Sequence, residues 1–72
     1  MRYYFDLVTG DHSHSVDLGG AEYANDEAAR QEAILRAIDN RETQQLQGYQ
    51  GYRCIRVRDE DGRTVCEVSI NR

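Results

Sequence analysis

Apolar and polar residues alternate through positions 52–58 and again through 63–70, on either side of Glu60-Asp61-Gly62. A strand throws successive side chains to opposite faces, and Asp-Gly accepts the unusual backbone of a tight turn. Alternation around such a turn therefore predicts a β-hairpin. A two- or four-residue turn centred on Asp61-Gly62 pairs Ile55 with Val68 and Val57 with Cys66. Ile55, Val57, Cys66, Val68 and Ile70 then share one apolar face. A three-residue bulged loop would set Ile55 opposite Glu67, which the alternation disfavours.

The amino-terminal third repeats the period. Tyr3, Phe5 and Leu7 share one face of a first strand, with Arg2, Tyr4 and Asp6 on the other. Thr9-Gly10-Asp11 reads as a turn. A second strand is expected over about 13–18, with Val16 and Leu18 inward, ending at Gly19-Gly20. The period then changes. Asn25 can cap a helix over about 26–43, because its side-chain oxygen reaches free N–H groups of the first turn. Asp26 and Glu27 complement the positive end of the helix dipole. Ile34 and Ile38, flanked by Ala33, Ala37 and Leu35, form its apolar stripe. Residues 44–51 are polar and glycine-spaced, as in a connection, and the last two strands cover about 52–59 and 63–71. These elements define one small α+β domain over 1–72. It is a two-layer β-β-α-β-β unit, with a four-stranded, mainly antiparallel sheet and one helix on one face. Strand order 2-1-3-4 places the most apolar strand inside and obeys a right-handed crossover.

With 72 residues, such a domain holds one small core. Folding at this length buries only about 60% of the surface that the unfolded chain exposes. An enclosed active-site cavity would remove core, whereas pairing with a second copy or another protein would add to it. All nine basic residues are arginine, and the net charge of −4 argues against sequence-independent binding of phosphate backbones. Charge is uneven along the chain. Residues 1–27 carry six acids against Arg2, and the remainder is close to balanced. No apolar run approaches the roughly 20 residues that span a bilayer, and no signal peptide precedes the first strand. The expected location is the cytosol, with Cys54 and Cys66 as reduced thiols on opposite faces of the hairpin.

Three groups of residues carry possible chemistry. Arg2, Tyr4, Arg56 and Arg58 fall on the sheet face away from the helix, which a one-helix domain leaves uncovered. Tyrosine among arginines suits docking of a protein, or stacking of single-stranded bases. Asp6 and Glu67 on the same face favour protein over nucleic acid. His12 and His14, with Asp11 and Asp17 nearby, have the spacing of strand ligands for zinc or nickel, but no third ligand is defined. The two cysteines lack a CxxC spacing. There is no Ser-His-Asp order with supporting turns and no phosphate-binding glycine loop, since Gly19-Gly20 lacks the flanking pattern of one. The residues thus point to a non-enzymatic protein without a cofactor. It would act as a homo-oligomer or with another protein, with a nucleic-acid-associated regulator as the alternative.

Arg2-Tyr3-Tyr4-Phe5-Asp6-Leu7, Glu27-Ala28-Ala29-Arg30 and Arg58-Asp59-Glu60-Asp61-Gly62-Arg63 together resemble a family of short bacterial proteins, common in rhizobia and their relatives and classed as a domain of unknown function. That resemblance spans nearly the whole chain and implies a cytosolic bacterial protein, with no activity or ligand attached. A looser likeness is to the amino-terminal part of HicB-type antitoxins, which open with two strands and an alanine-rich helix. The Phe-Pro-Asp-Leu-Pro-Gly-Cys-like segment of those proteins is absent here, and no DNA-binding helix pair follows.

Overall fold

The computed structural model describes residues 1–10, 14–47 and 51–70. In chain order the elements are β1 (Arg2–Thr9), β2 (His14–Ser15), β3 (Ala21–Glu22), α1 (Asp26–Gln47), β4 (Tyr52–Arg58) and β5 (Thr64–Ser69). The sheet runs β2-β1-β4-β5, with every neighbouring pair antiparallel and β3 also paired to β1. This is the α+β architecture and the strand order that the pattern predicts, with one added short strand.

The core lies between α1 and one face of the sheet. Tyr3, Phe5, Ile55, Val57 and Ile70 are buried there against Ala29, Ala33 and Ala37, with Leu7, Cys66 and Val68 packed at the margin. Full burial of a side chain such as Ile55 or Ile70 is worth about 1.5–3 kcal/mol. Tyr23 closes one end, its ring 5.6 Å from that of Phe5 and edge-on to it. Arg36 lays its guanidinium 4.2 Å from the centre of the Phe5 ring, so its stem and charge shield that ring from water.

Asn25 does cap α1, its Oδ1 accepting the Ala28 N–H at 2.9 Å. The buried face of the helix differs from the expected stripe. It is the alanine row, whereas Leu35 is 62% and Ile38 is 45% exposed. The sheet contributes the bulky groups to this thin layer, so only small helix residues fit at native packing density. The helix also runs beyond the expected end at 43. Gln44 is buried and its Oε1 accepts the Tyr52 N–H at 3.0 Å, which ties the last turns of α1 to the start of β4. Of the polar connection expected over 44–51, positions 48–50 lie outside the described residues.

Between β4 and β5, Ile55 opposes Val68 and Val57 opposes Cys66, as the alternation requires. The turn is nevertheless of the three-residue kind. Asp59 N–H donates to Arg63 O at 2.9 Å, Gly62 N–H donates to Asp59 O at 3.1 Å, and Gly62 has φ 84°. A bulge restores the register: Arg58 pairs with Thr64 and Val57 with Cys66, leaving Val65 as the extra residue. The buried Asp59 carboxylate holds this turn, accepting the N–H groups of Asp61 and Arg63 and the Arg63 guanidinium.

The other edge departs most from expectation. A continuous strand over 13–18 is not formed, and among its described residues only His14–Ser15 pair with β1. The chain lifts away and returns as Ala21–Glu22, opposite Tyr3 and Arg2. Val16 and Leu18, expected inward, are 53% and 89% exposed. Asp17 is the cause. Its Oδ2 accepts the Phe5 N–H at 3.1 Å, and its Oδ1 accepts those of Gly19 at 3.2 Å and Gly20 at 3.1 Å. A side chain thus takes the place of a ladder partner. Gly20, at φ 67°, lies so close to β1 that a Cβ there would sit 2.8 Å from the Tyr3 carbonyl oxygen.

Candidate interaction surface

Strand register arranges the face away from α1 in rows. Tyr4 opposes Arg58; Asp6, Arg56 and Glu67 form the next row; His14, Val8, Cys54 and Ser69 form the one after. Arg2 opposes Glu22 at the far end. Arg2, Tyr4, Arg56 and Arg58 therefore share one surface, and no described helix covers it.

The four play different parts. Arg58 holds the buried Asp6 carboxylate with two hydrogen bonds, Nε at 2.6 Å and Nη2 at 3.1 Å, and lies 5.1 Å from the centre of the Tyr4 ring. The pair is diagonal, since Arg56 stands directly opposite Asp6. Asp6 also accepts the Asp17 N–H at 3.0 Å, which joins the open face to the edge clasp. Arg2 donates to Gly19 O at 2.6 Å and lies 3.4 Å from Glu22. Arg2 and Arg58 are thus anchored to the fold. Arg56 pairs with Glu67 at 3.0 Å in an exposed geometry, and such a pair is worth about 0–1 kcal/mol. A carboxylate from outside can replace Glu67 at little cost.

Burial opposes ionisation of Asp6, but its hydrogen bonds from Arg58 and the Asp17 amide, with the Arg58 charge, hold its carboxyl below the usual range. Asp17 behaves alike: burial is outweighed by the N–H groups of Phe5, Gly20 and Gly19. Both carboxylates are ionised and fully engaged with this chain's own donors at neutral pH.

His14 is exposed on the same face, with Nε2 3.4 Å from Arg56 Nη1, and His12 lies outside the described residues. Asp17, considered from sequence as a neighbour of these histidines, turns to the backbone instead. Among the described residues, no group of three His, Cys, Asp or Glu side chains is placed to hold a metal. Cys54 and Cys66 are free thiols on opposite faces. Burial raises the pKa of each, which keeps them protonated and slow as nucleophiles. Pattern reading missed the roles of Asp6 and Asp17. An aspartate two and three residues ahead of Gly19-Gly20 is the local signal for a side-chain-to-backbone turn.

Fold and surface define a two-layer α+β domain with one helix-covered face and one open, arginine-bearing face. The chain belongs to the DUF6894 family, a domain of unknown function, whose model matches residues 2–71. No curated protein and no solved structure matches it. Among the described residues, no helix is long and apolar enough to cross a membrane.

Proposed function

We propose that this protein acts by association in the bacterial cytosol, binding a protein surface through the open sheet face and carrying no reaction or cofactor of its own. One observation carries the reading: Tyr4 and Arg56 stand on a sheet face that no described helix covers, over an ion-paired base that holds them in place. Both sheet edges are poorly suited to strand addition. One is interrupted at residues 16–20, and the other carries the Val65 bulge and the charged Glu67. The face is the better route.

Arg56→Gln tests this reading because it removes charge at the centre of the face, and Arg56 takes no part in the hydrogen bonds of the buried Asp6–Arg58 pair. In gel filtration of extract from the native host, the wild-type chain should elute within a larger species. The variant should elute at its own mass while keeping the wild-type circular dichroism spectrum. A wild-type chain that elutes as a lone monomer from that extract overturns the proposal.

A further inference from the structure

We infer that residues 16–20 form a strap that opens and closes over the edge of β1 as one unit, latched by Asp17, and that its closed state holds the Arg2 guanidinium in place. The strap hangs between two short anchors. Ser15 pairs with Leu7 before it, and Ala21 pairs with Tyr3 after it. Burial of apolar surface does little to hold it down. Val16 is 53% and Leu18 is 89% exposed, and Gly19 and Gly20 have no side chain to bury. Segments with few buried apolar contacts are the ones that open locally while the core stays folded.

Hydrogen bonds at Asp17 do the holding, and they act together. The carboxylate accepts the Gly19 and Gly20 N–H groups, which fixes the bend of the strap, and the Phe5 N–H, which fastens that bend to β1. The Asp17 amide donates to Asp6 as well. Moving this one residue therefore undoes the bend and the attachment at once, so partial opening gains nothing.

The strap also reaches two arginines of the open face through its carbonyl groups. Arg2 Nη1 donates to Gly19 O at 2.6 Å, and Arg58 Nη2 lies 3.4 Å from Asp17 O. Opening affects the two unequally. Arg58 keeps both of its bonds to the buried Asp6 carboxylate. Arg2 keeps only the exposed pair with Glu22 at 3.4 Å, which is too weak to order a long side chain. The strap thus sets whether Arg2 is fixed or free, while Arg58 stays in place in both states.

Gly20 supplies a way to open the strap with the Asp17 carboxylate left intact. A Cβ there would sit 2.8 Å from Tyr3 O and 2.9 Å from Tyr4 Cε1, on a backbone with φ 67°, so Gly20→Ala pries the segment away from β1. The test is amide hydrogen exchange of the purified full chain, followed by NMR at urea concentrations too low to unfold it. In the wild type, the Phe5, Asp17 and Gly20 amides should exchange through one opening that hardly responds to urea. The slowest amides of β4 should instead follow global unfolding and its steep urea dependence. Gly20→Ala should speed exchange at Phe5 and Asp17 together, several-fold and by the same factor. Side-chain relaxation should show the Arg2 Nε–H becoming mobile in that variant while the Arg58 Nε–H stays ordered. Phe5 and Asp17 amides that share the urea dependence of β4 in the wild type overturn the strap, whether or not the variant folds. Faster exchange at Gly20 alone overturns the single unit, and an Arg2 side chain as ordered in Gly20→Ala as in the wild type overturns the hold on the arginine.

Discussion

Asp17 shows how one side chain can redirect an edge strand. Its two carboxylate oxygens accept three backbone N–H groups, and its own amide donates to the buried Asp6. Each hydrogen bond adds only about 1 kcal/mol net, but a donor stranded away from water costs about 1–3 kcal/mol. The Gly19 N–H is exposed and can turn to solvent, whereas that of Phe5 lies inside the sheet. Asp17→Ala should therefore destabilise the fold by about 2 kcal/mol, read as a lower urea midpoint. Faster hydrogen exchange should appear first at the Phe5 amide. Asp17→Asn keeps one acceptor oxygen and should fall between alanine and wild type. An alanine variant as stable as wild type would show that the lifted segment is held by something other than this clasp.

At the scale of elements, legibility depended on how many residues shared a constraint. The hairpin register was readable because five apolar positions had to face one way, and a slip by one residue would expose them all. Its turn was not readable, since a three-residue loop and a compensating bulge at Val65 leave the same long-range pairing. Helix α1 was visible from Asn25 and its acidic first turn. Its buried side was not, because apolar spacing does not say which layer supplies the volume. That point yields a paired prediction. Ala33→Leu, at a position with 0% exposure, should cost about 1–3 kcal/mol by overpacking. Leu35→Gln, on the outer side, should change stability by no more than about 0.5 kcal/mol. Thermal melts of the two variants check it, and a reversed ranking would mean that the helix is turned about its axis. For the surface, period two was enough to collect Arg2, Tyr4, Arg56 and Arg58. The diagonal choice of Arg58 by Asp6 depends on side-chain reach and burial, which alternation does not encode.

For the whole molecule, pH joins these local devices. Asp6, Asp17 and Asp59 are buried or half-buried carboxylates, each held below its ordinary range although burial pushes the other way. For Asp59 the opposing contributions are hydrogen bonds from the Arg63 backbone and guanidinium and from the Asp61 amide. A carboxyl with a depressed folded pKa stabilises fully above its unfolded value, about 3.9 for aspartate, and loses that stabilisation as pH falls through the folded pKa. Urea unfolding across acid pH should give a plateau above about pH 5 and a decline below about pH 4, with a shallower decline in Asp17→Asn. Tyr3 sets the opposite limit. Its hydroxyl donates to Asp26 at 2.6 Å, and that bond together with burial raises its pKa from 10.0 to about 12. Here the folded pKa exceeds the unfolded one, so the contribution is intact below pH 10.0 and is lost as pH rises toward about 12. Tyr3→Phe should remove that alkaline loss while keeping the decline at acid pH, since the hydrogen bonds that hold Asp6, Asp17 and Asp59 do not come from the Tyr3 hydroxyl. Stability that stays flat down to pH 3 would mean that the three carboxylates are not held as their hydrogen bonds indicate.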